Sequence, residues 1–592
     1  MFRTILIILG LVSGLAALIW ALPSPSVPHP QVSRILALTD VRVFTEEGVS
    51  EPQTVLIQGG RIAALGVDIA IPQDAMRLDG TGLTAIPGLI DAHTHTWGAG
   101  LEETLKFGVT THLDMFTAPV LLTQTRAARD GLDVDDQADL FSAGMMATVE
   151  GGHGTQYGIE IDTLSGPEQA SDWVARRLAE GSDYIKLVYI PQAPNLPSLD
   201  LETATAIIRA ARAEGVRVVA HVSSLAGAQD MVDAGVDGLV HIFADAEVNA
   251  AFIEAARRRD VFVIPTLSVI ASVANTGSGA RLAEDPRVSH HLSASALASL
   301  EGGFGMPPNS RYRYPVAADN VRRLHEAGIT ILAGSDAPNP GTAYGASLHQ
   351  ELGLLVEAGL SPHDALSAAS HISADIFNLE DRGRIEPGAR ADLVLISGDI
   401  LEDVAATLSI ELIVRNGHVF DRSQSDASPS GAAQLVQNAL TPFDDITNGF
   451  SWIESTDAMM GGSSQASLEV VDADLVTQVS VQPGFAFPWA GPSYFPASAS
   501  TSALDLSEAP ILVLEAKATP GIYRVMVFNS GTTGAPPTVN LTLGDSFETF
   551  RLDLRDISGF DHTQFAGLAI MAGPAPGEAT ITLRTASFEA AQ

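Results

Sequence analysis

The chain has 592 residues, of which 46% are hydrophobic, so it is long enough for two or three domains with sizeable cores. Its formal net charge of -37, from 33 basic and 70 acidic residues, disfavours nucleic acid and anionic lipid surfaces as partners, because both bind basic patches. It contains no cysteine, which excludes disulfides, thiol catalysis and Cys-ligated zinc. Any metal ion must therefore be held by His, Asp, Glu or modified Lys.

The amino-terminal segment predicts export. Residues Ile5 to Leu22 are apolar apart from Ser13 and two glycines, a length in the overlap between a secretory signal and a membrane-spanning helix. We expect this segment to be cleaved or to remain as an anchor, with the rest of the protein periplasmic or otherwise outside the cytoplasm. Membrane contact would occur only through this segment, and the proline-rich residues 23–34 read as a linker.

Two β-like stretches flank a long central region. Residues 35–85 contain short apolar runs around a Gly59-Gly60 turn, and residues 383–422 contain a matching fragment. They predict one small composite β-sandwich built from both flanks.

The central residues 86–382 alternate strand-like and helix-like patterns. Eight apolar, β-branched runs are predicted as strands: 86–95, 109–115, 140–147, 184–190, 216–222, 238–243, 261–267 and 329–335. Eight strand–helix repeats predict an α/β fold, a (β/α)₈ TIM barrel. A doubly wound sheet also alternates in this way, and the positions of the histidines decide between the two.

The last part of the chain has a different pattern. Residues 423–434 are rich in Ser and Pro and are predicted as a linker. Beyond them the helical periodicity ends, and residues 435–592 show short alternating strands separated by Gly, Pro and Ser turns. This pattern predicts an all-β jelly roll or sandwich.

Polar side chains that can bind metal follow the predicted strands. His93 and His95 close the first strand, and residues two apart in a strand face the same side. His221 and His241 end the fifth and sixth strands, and Asp336 follows the eighth. Because the carboxyl ends of barrel strands form the catalytic mouth, we expect these side chains to meet there as a metal site. A carboxylate at that place can also take a proton from metal-activated water.

Lys186 lies in the fourth predicted strand with apolar residues on both sides. A buried lysine is costly unless it is paired or neutralised. Carbamylation by CO₂ would convert the amine into a carboxylate-like anion that can bridge two cations. The alternative is an edge lysine whose amine reaches solvent.

Three further groups are weaker candidates. His153, in a loop after the third strand, is predicted to bind the substrate carbonyl or stabilise an oxyanion, or else to structure its loop. His112 and Asp114, on the second strand, either support the site or pack in the core, and core packing is favoured. The segment Arg311–Tyr314 either binds a substrate carboxylate or is a solvated loop, and the loop is favoured.

The strings PGLIDAHTH, YIKL and AGSDA, in this order, resemble the amidohydrolase superfamily, specifically its binuclear, carbamylated-lysine branch. The resemblance covers about residues 35–422. Within the branch, GGHG at 151–154 and the helix LHQELGLLVEAGLSPHDALSAAS look most like imidazolonepropionase-like and Xaa-Pro dipeptidase-like relatives.

The resemblance implies two divalent ions and a bridging hydroxide as the nucleophile. Six side chains would hold the ions: His93, His95, Lys186, His221, His241 and Asp336. The strand-one histidines and the aspartate would bind the first ion, the lysine carbamate would bridge, and the remaining histidines would bind the second. Asp336 and His153 would be the catalytic side chains. Ligation by nitrogen and oxygen alone suits Zn²⁺, although Mn²⁺ or Co²⁺ could serve.

The expected reaction is hydrolysis of a C–N amide bond in a small molecule, most plausibly a dipeptide or N-acyl amino acid. The alternatives are a cyclic-amide hydrolase, a mononuclear deaminase of the same fold, and a non-catalytic binding protein. Deaminases of this fold generally lack the bridging lysine. A site without function has no reason to keep charged residues buried. The sequence leaves the oligomeric state open.

The carboxy-terminal domain resembles a different family. The string PFDDITNGFSWIESTDAMMGGSS looks like the opening of the complex I intermediate-associated protein 30 domain, a galactose-binding-like jelly roll. The resemblance is carried by Trp452, Asp457 and the run Met460–Ser463. It implies an accessory binding or packing module without a catalytic constellation.

Overall fold

The computed structural model describes residues 35–134, 136–155, 161–193, 196–304, 313–422, 440, 452–457, 464–483, 488–494, 505–507, 509–529 and 536–590. The predicted export segment and both predicted linkers lie outside these residues, so export stays a prediction. Within the described ranges, no helix has both the length and the hydropathy needed to cross a membrane.

Short strands open the described chain. They are β1 (Leu36–Thr45), β2 (Gly48–Val49), β3 (Gln53–Gln58), β4 (Arg61–Gly66), β5 (Met76–Asp79) and β6 (Thr84–Pro87). The β3–β4 turn is formed by Gly59 and Gly60 at φ +60° and +75°, a left-handed conformation that glycine adopts at low cost. β1 pairs antiparallel with β3 and parallel with β5 and β6.

Parallel strands form the centre of the molecule. They are β7 (Leu89–Thr94), β8 (Val109–Asp114), β9 (Asp139–Ser142), β10 (Ile185–Val188), β11 (Val218–His221), β12 (Gly238–Val240) and β13 (Phe262–Ile264). They lie in two sheets, β7-β8-β9 and β10-β11-β12-β13. Isolated bridges join the sheets: Ala147 pairs with Leu187, and the segment 331–337 pairs with Val263 at one end and Thr94 at the other. The arrangement is of the TIM-barrel type.

The eighth predicted strand, 329–335, is not a regular strand. Gly334 lies so close to β7 that a Cβ there would be 2.8 Å from His93 Cβ, and Asp336 has a left-handed φ of +57°. The segment is nevertheless hydrogen-bonded on both sides, since Asp336 N donates to His93 O at 2.8 Å and Leu332 N donates to Val263 O at 2.9 Å. This close approach is what brings the Asp336 side chain beside the β7 histidines.

The predicted first strand, 86–95, is two strands. β6 and β7 separate at Gly88, where a Cβ would lie 2.3 Å from Thr110 Oγ1. β6 pairs with β1, whereas β7 pairs with β8, so this glycine marks the passage from the flanking sheet into the barrel.

Helices connect the central strands and continue after them. Between β7 and β13 in the chain they are α1 (Gly100–Leu105), α2 (Pro119–Asp130), α3 (Ala170–Glu180), α4 (Leu201–Ala213), α5 (Leu225–Ala234) and α6 (Ala250–Arg258). After β13 they are α7 (Leu267–Val273), α8 (Ser278–Ala283), α9 (Pro286–Ser289), α10 (Ala294–Glu301), α11 (Tyr314–Glu326), α12 (Ala346–Glu357), α13 (Pro362–Ala368) and α14 (His371–Ile376). The apolar faces of many of these helices pack with the outward side chains of the strands in one large core.

The second flank returns to the first sheet. Its strands are β14 (Leu393–Ile396), β15 (Ile410–Arg415) and β16 (His418–Phe420). The combined sheet has nine strands in the order β16-β15-β14-β6-β1-β3-β4, with β2 and β5 beside β1. Its own apolar core includes Leu38, Val55 and Leu393, so residues from both flanks build one packed unit.

A buried ion cluster joins this sheet to the barrel. Arg415 in β15 is fully buried and contacts Asp139 of β9 and, at 2.7 Å, Asp392. Asp139 also accepts from Arg382 at 2.6 Å. Because each charge has a partner of opposite sign, the cluster offsets the cost of burial and fixes the position of the sheet.

Replacing Arg415 with Leu should leave the buried Asp392 without its cationic partner and remove one of the cations paired with Asp139. Breaking a buried pair typically costs about 3–5 kcal/mol, so the urea midpoint of barrel unfolding should fall clearly. The matched control is Arg258→Leu, which breaks an exposed pair with Glu254 and should cost less than about 1 kcal/mol. Equal midpoints for the two variants would show that the cluster does not stabilise the fold.

The carboxy-terminal region is a separate all-β region. Its strands are β17 (Trp452–Thr456), β18 (Gln465–Val471), β19 (Asp474–Val481), β20 (Ala490–Tyr494), β21 (Ile511–Ala518), β22 (Gly521–Asn529), β23 (Thr538–Leu543), β24 (Glu548–Asp553), β25 (Phe565–Met571) and β26 (Gly577–Glu589). They form two five-stranded sheets, β17-β20-β25-β22-β23 and β18-β19-β26-β21-β24, around one apolar core. Trp452 lies in that core, and Asp457 accepts from Ser464 N at 2.9 Å. The run Met460–Ser463 lies outside the described residues, so the second family resemblance stays a prediction.

Candidate metal centre at the barrel mouth

The side chains of His93, His95 and Asp336 converge at the carboxyl ends of the barrel strands. Asp336 Oδ1 lies 3.0 Å from His95 Nε2 and 3.3 Å from His93 Nε2. One ligand atom from each of the three residues lies within 4.8 Å of the others, which is a spacing that one metal ion can bridge. The HxH spacing causes this geometry, because alternate residues of β7 face the same side.

His221 and His241 lie next to this group. Their ring centroids are 4.4 Å apart, and the ring of His241 lies 4.9 Å from that of His93. The ring of His153 lies 4.8 Å from that of His221. The structure therefore brings His153 and all the predicted histidine ligands to one place, although they come from three strand ends and a loop.

Lys186 completes the group from β10. Its side chain is only 1% exposed, and its Nζ lies 3.5 Å from His93 Nε2. Among the described residues it forms no ion pair with a carboxylate. Burial lowers the pKa of Lys186 to about 8, against the opposing charges of Asp336 and Asp114. The chain has three lysines; of the other two, Lys106 follows α1 and Lys517 lies in β21 of the all-β region.

Burial sets the protonation of the site. It lowers the pKa values of His93 and His221 well below their usual value, and those of His241 and His153 to about 3 and about 4. The pKa of Asp336 is lowered overall: burial alone would raise it, but the charges of Lys186 and of the neighbouring histidines, together with a hydrogen bond from His95, have the larger effect. Neutral imidazoles and an ionised carboxylate are the forms that bind metal.

Within the described part of the chain, several buried polar atoms of the group have no hydrogen-bond partner. They are the Nδ1 atoms of His93, His95 and His221 and the Oδ1 atom of Asp336. Buried polar atoms in folded proteins nearly always have a partner. On the other side of the rings, the Nε2 atoms of His93 and His95 converge on Asp336 Oδ1, which fits a divalent cation, and a set of nitrogen and oxygen ligands suits Zn²⁺.

The orientation of His241 is fixed from outside the group. Its Nδ1 lies 2.7 Å from Thr266 Oγ1, and with Nδ1 as the donor this contact leaves Nε2 as the ligand atom. Thr266 is fully buried at a left-handed φ of +50°. The turn is held by Glu351 of α12, whose carboxylate accepts from Leu267 N at 2.8 Å and Ser268 N at 2.7 Å.

His112 and Asp114 of β8 lie beneath the loop that follows His95. His112 Nδ1 is 3.0 Å from Thr96 Oγ1, and Asp114 accepts from Thr96 N and, at 2.7 Å, from Ser142 Oγ. Both are fully buried. They hold the backbone beside His95.

The Arg311–Tyr314 segment is only partly described. Arg311 and Tyr312 lie outside the described residues, so their contact with a substrate stays a prediction. The guanidinium of Arg313 donates to Asp245 O at 2.9 Å and so contacts a neighbouring loop.

Sequence reasoning missed Thr266 and Glu351. Thr266 was visible near the end of the seventh predicted strand, in the position where other strands carry ligands. No sequence pattern indicates the role of Glu351, because it lies on a helix 84 residues after Leu267, whose amide it accepts from.

Comparison with known proteins identifies the family. The amidohydrolase family profile matches residues 84–420, more than half of the chain. The imidazolonepropionase of Cereibacter sphaeroides is 27% identical over 387 residues, covering 61% of this chain and 93% of that protein. The corresponding enzyme of Mycolicibacterium smegmatis is 24% identical over 412 residues, covering 63% and 92%.

Solved structures agree on the fold. A provisionally assigned prolidase from Bifidobacterium longum superposes with a TM-score of 0.54 at 26% identity, covering 66% of this chain and 95% of that one. A Xaa-Pro dipeptidase with methionine in its active site has a TM-score of 0.53 at 20% identity, covering 65% and 100%. The chain belongs to the amidohydrolase family and is a hydrolase acting on carbon–nitrogen bonds.

Replacing Thr266 with Val should loosen His241 without changing the shape of the site. Loss of a hydrogen bond that orients a metal-binding histidine typically lowers metal affinity by about 10–100-fold. We expect a decrease of that order in the zinc affinity measured by chelator competition. The control is Thr205→Val on α4, whose hydroxyl donates to Leu201 O in the preceding helical turn, far in sequence from the metal ligands. Unchanged zinc affinity in Thr266→Val would contradict the role given to this contact.

Proposed function

We propose that the chain is a binuclear metallohydrolase that cleaves a linear amide bond, in a dipeptide or an N-acyl amino acid. The observation that carries the proposal is the convergence of His93, His95 and Asp336 within ligand distance of one another. His221, His241 and Lys186 surround them, which gives the ligand set of two ions rather than one.

Two adjacent cations would need an anionic bridge, and Lys186 supports one. Its amine is buried between the histidine groups with only His93 Nε2 as a described hydrogen-bonding partner. Addition of CO₂ to the amine would give a carbamate whose two oxygens can each ligate a cation. This modification would also remove the cost of an unpaired buried ammonium.

Bound divalent ions would supply Lewis acidity, which polarises an amide carbonyl and makes water more acidic. Asp336 would accept the proton of the attacking water and pass it to the leaving nitrogen. The C–N bond then breaks, giving a carboxylic acid and an amine. His153 would contact the carbonyl oxygen, a role supported by its place beside His221 at the mouth.

A second candidate is hydrolysis of a cyclic amide. The curated relatives named above are imidazolonepropionases, and their similarity extends over most of their length. The two candidates share the same centre and differ in the substrate that enters it.

A hydrolysis screen with and without added zinc tests the proposal. The substrates are dipeptides, N-acyl amino acids and imidazolone propionate, and metal content is measured on the same sample. We expect about two ions per chain and zinc-dependent release of amine from linear substrates. Turnover of imidazolone propionate alone would establish the second candidate, and turnover that survives complete metal removal would contradict both.

Lys186→Ala and Asp336→Asn separate two roles within the centre. Lys186→Ala should lose metal and activity together, because it removes a ligand from both ions. Asp336→Asn should keep part of the metal, whereas turnover falls by about 10²–10⁴-fold, the usual contribution of a general acid–base group. Lys517→Ala in the all-β region is the control and should keep both. Wild-type activity in Lys186→Ala would overturn the binuclear proposal.

A further inference from the structure

A cavity opens beside the metal-ligand group. Its volume is about 220 Å³. Seven described residues line it: His95, Trp97, Phe116, Met146, His153, Pro338 and Asn339. His95 is one of the proposed metal ligands, and His153 lies beside them. A substrate whose amide lies at the ligands would therefore place an adjacent substituent in this cavity.

One side of the cavity wall is apolar and backed by apolar packing: Trp97, Phe116, Met146 and Pro338 form it, whereas His95, His153 and Asn339 form the polar side. Phe116 and Met146 belong to a cluster with Val188 and Ile190 at the carboxyl ends of β8, β9 and β10, and Trp97 packs against it. The rings of Trp97 and Phe116 are 5.8 Å apart in an edge-to-face arrangement. None of the described lining residues is a lysine, arginine, aspartate or glutamate.

Tyr344 fixes the backbone of Trp97 next to that of His95. The hydroxyl of Tyr344 donates to His95 O at 2.6 Å and accepts from Trp97 N at 3.0 Å. On the other side of the cavity, the backbone at Gly154 packs tightly against Met146: a Cβ at Gly154 would lie 2.1 Å from Met146 Cε. The loop that carries His153 therefore packs directly on the apolar wall.

We propose that this cavity is the specificity pocket for a bulky, uncharged apolar group of the substrate, and that Trp97 determines the specificity. The inference rests on the proposed amide hydrolysis and names its substrate class: amides that bear an aromatic or large aliphatic substituent next to the scissile bond. An apolar cavity of about 150 Å³ is enough for benzene, so about 220 Å³ holds a benzyl-sized group. A hydrophilic substituent packed against Trp97, Phe116 and Met146 would lose its water on that side without gaining a hydrogen-bond partner.

The test uses the full-length zinc-loaded protein with four dipeptides: Phe-Gly, Ser-Gly, Gly-Phe and Gly-Ser. In at least one position, kcat/KM for Phe should exceed that for Ser by about tenfold or more, the discrimination typical of apolar pockets. Trp97→Ala should reduce this ratio to below about threefold, and Trp97→Phe should keep most of it. Leu201→Ala, an exposed apolar position on α4, is the control and should leave the ratio as in wild type.

A binding measurement separates this inference from the proposed function. L-Phenylalanine and L-serine have no amide to hydrolyse and differ only in the side chain, so their calorimetric affinities report on the pocket alone. If no dipeptide is cleaved, tighter binding of phenylalanine that Trp97→Ala abolishes still supports the pocket while the function fails. Cleavage without side-chain preference overturns the pocket and keeps the function. Absence of any preference in both assays overturns the pocket.

Discussion

The structure depends on the cost of burying a group of polar side chains at the mouth of a barrel. Three of the histidines have their pKa values strongly lowered by burial, and a lysine and an aspartate lie among them. The Nδ1 atoms of three of the histidines have no hydrogen-bond partner among the residues that the structure describes. Protein interiors rarely tolerate this arrangement, because each unpaired group costs free energy. Cations shared by the whole group would offset that cost, and the fold has the features needed to hold the group in place for them.

Those features lie outside the group itself. Asp91 accepts from His93 N and from the hydroxyl of Ser335 at 2.6 Å, and so ties β7 to the irregular eighth segment. Glu351 holds the turn that orients His241, and Arg415 with Asp139 fixes the flanking sheet beneath the barrel. Burial raises the pKa values of Asp91 and Glu351 to about 7. These carboxylates are stabilised by hydrogen bonds in rigid elements, which is what a positioned site requires.

The sequence predicts the strand ends well because the signal is local. Each ligand follows a short apolar run, so spacing alone places His93, His95, His221 and His241 at one edge of a parallel barrel. The irregular eighth segment was not predictable, since it depends on the approach of Gly334 to β7. The contacts of Tyr344 with His95 and Trp97 were equally unpredictable, because they join residues that only the folded chain brings together. The roles of the ligands stay proposals, although their convergence is now a feature of the structure.

We expect one pair of ions to occupy the convergence of these side chains. Anomalous diffraction at the zinc edge from crystals of the zinc-loaded protein measures this occupancy directly. Two peaks should lie at the barrel mouth, one beside His93, His95 and Asp336 and the other beside His221 and His241. In the electron-density map, continuous density should extend from Lys186 Nζ to both peaks. A single peak, or peaks only elsewhere on the molecule, would exclude a binuclear centre at this place.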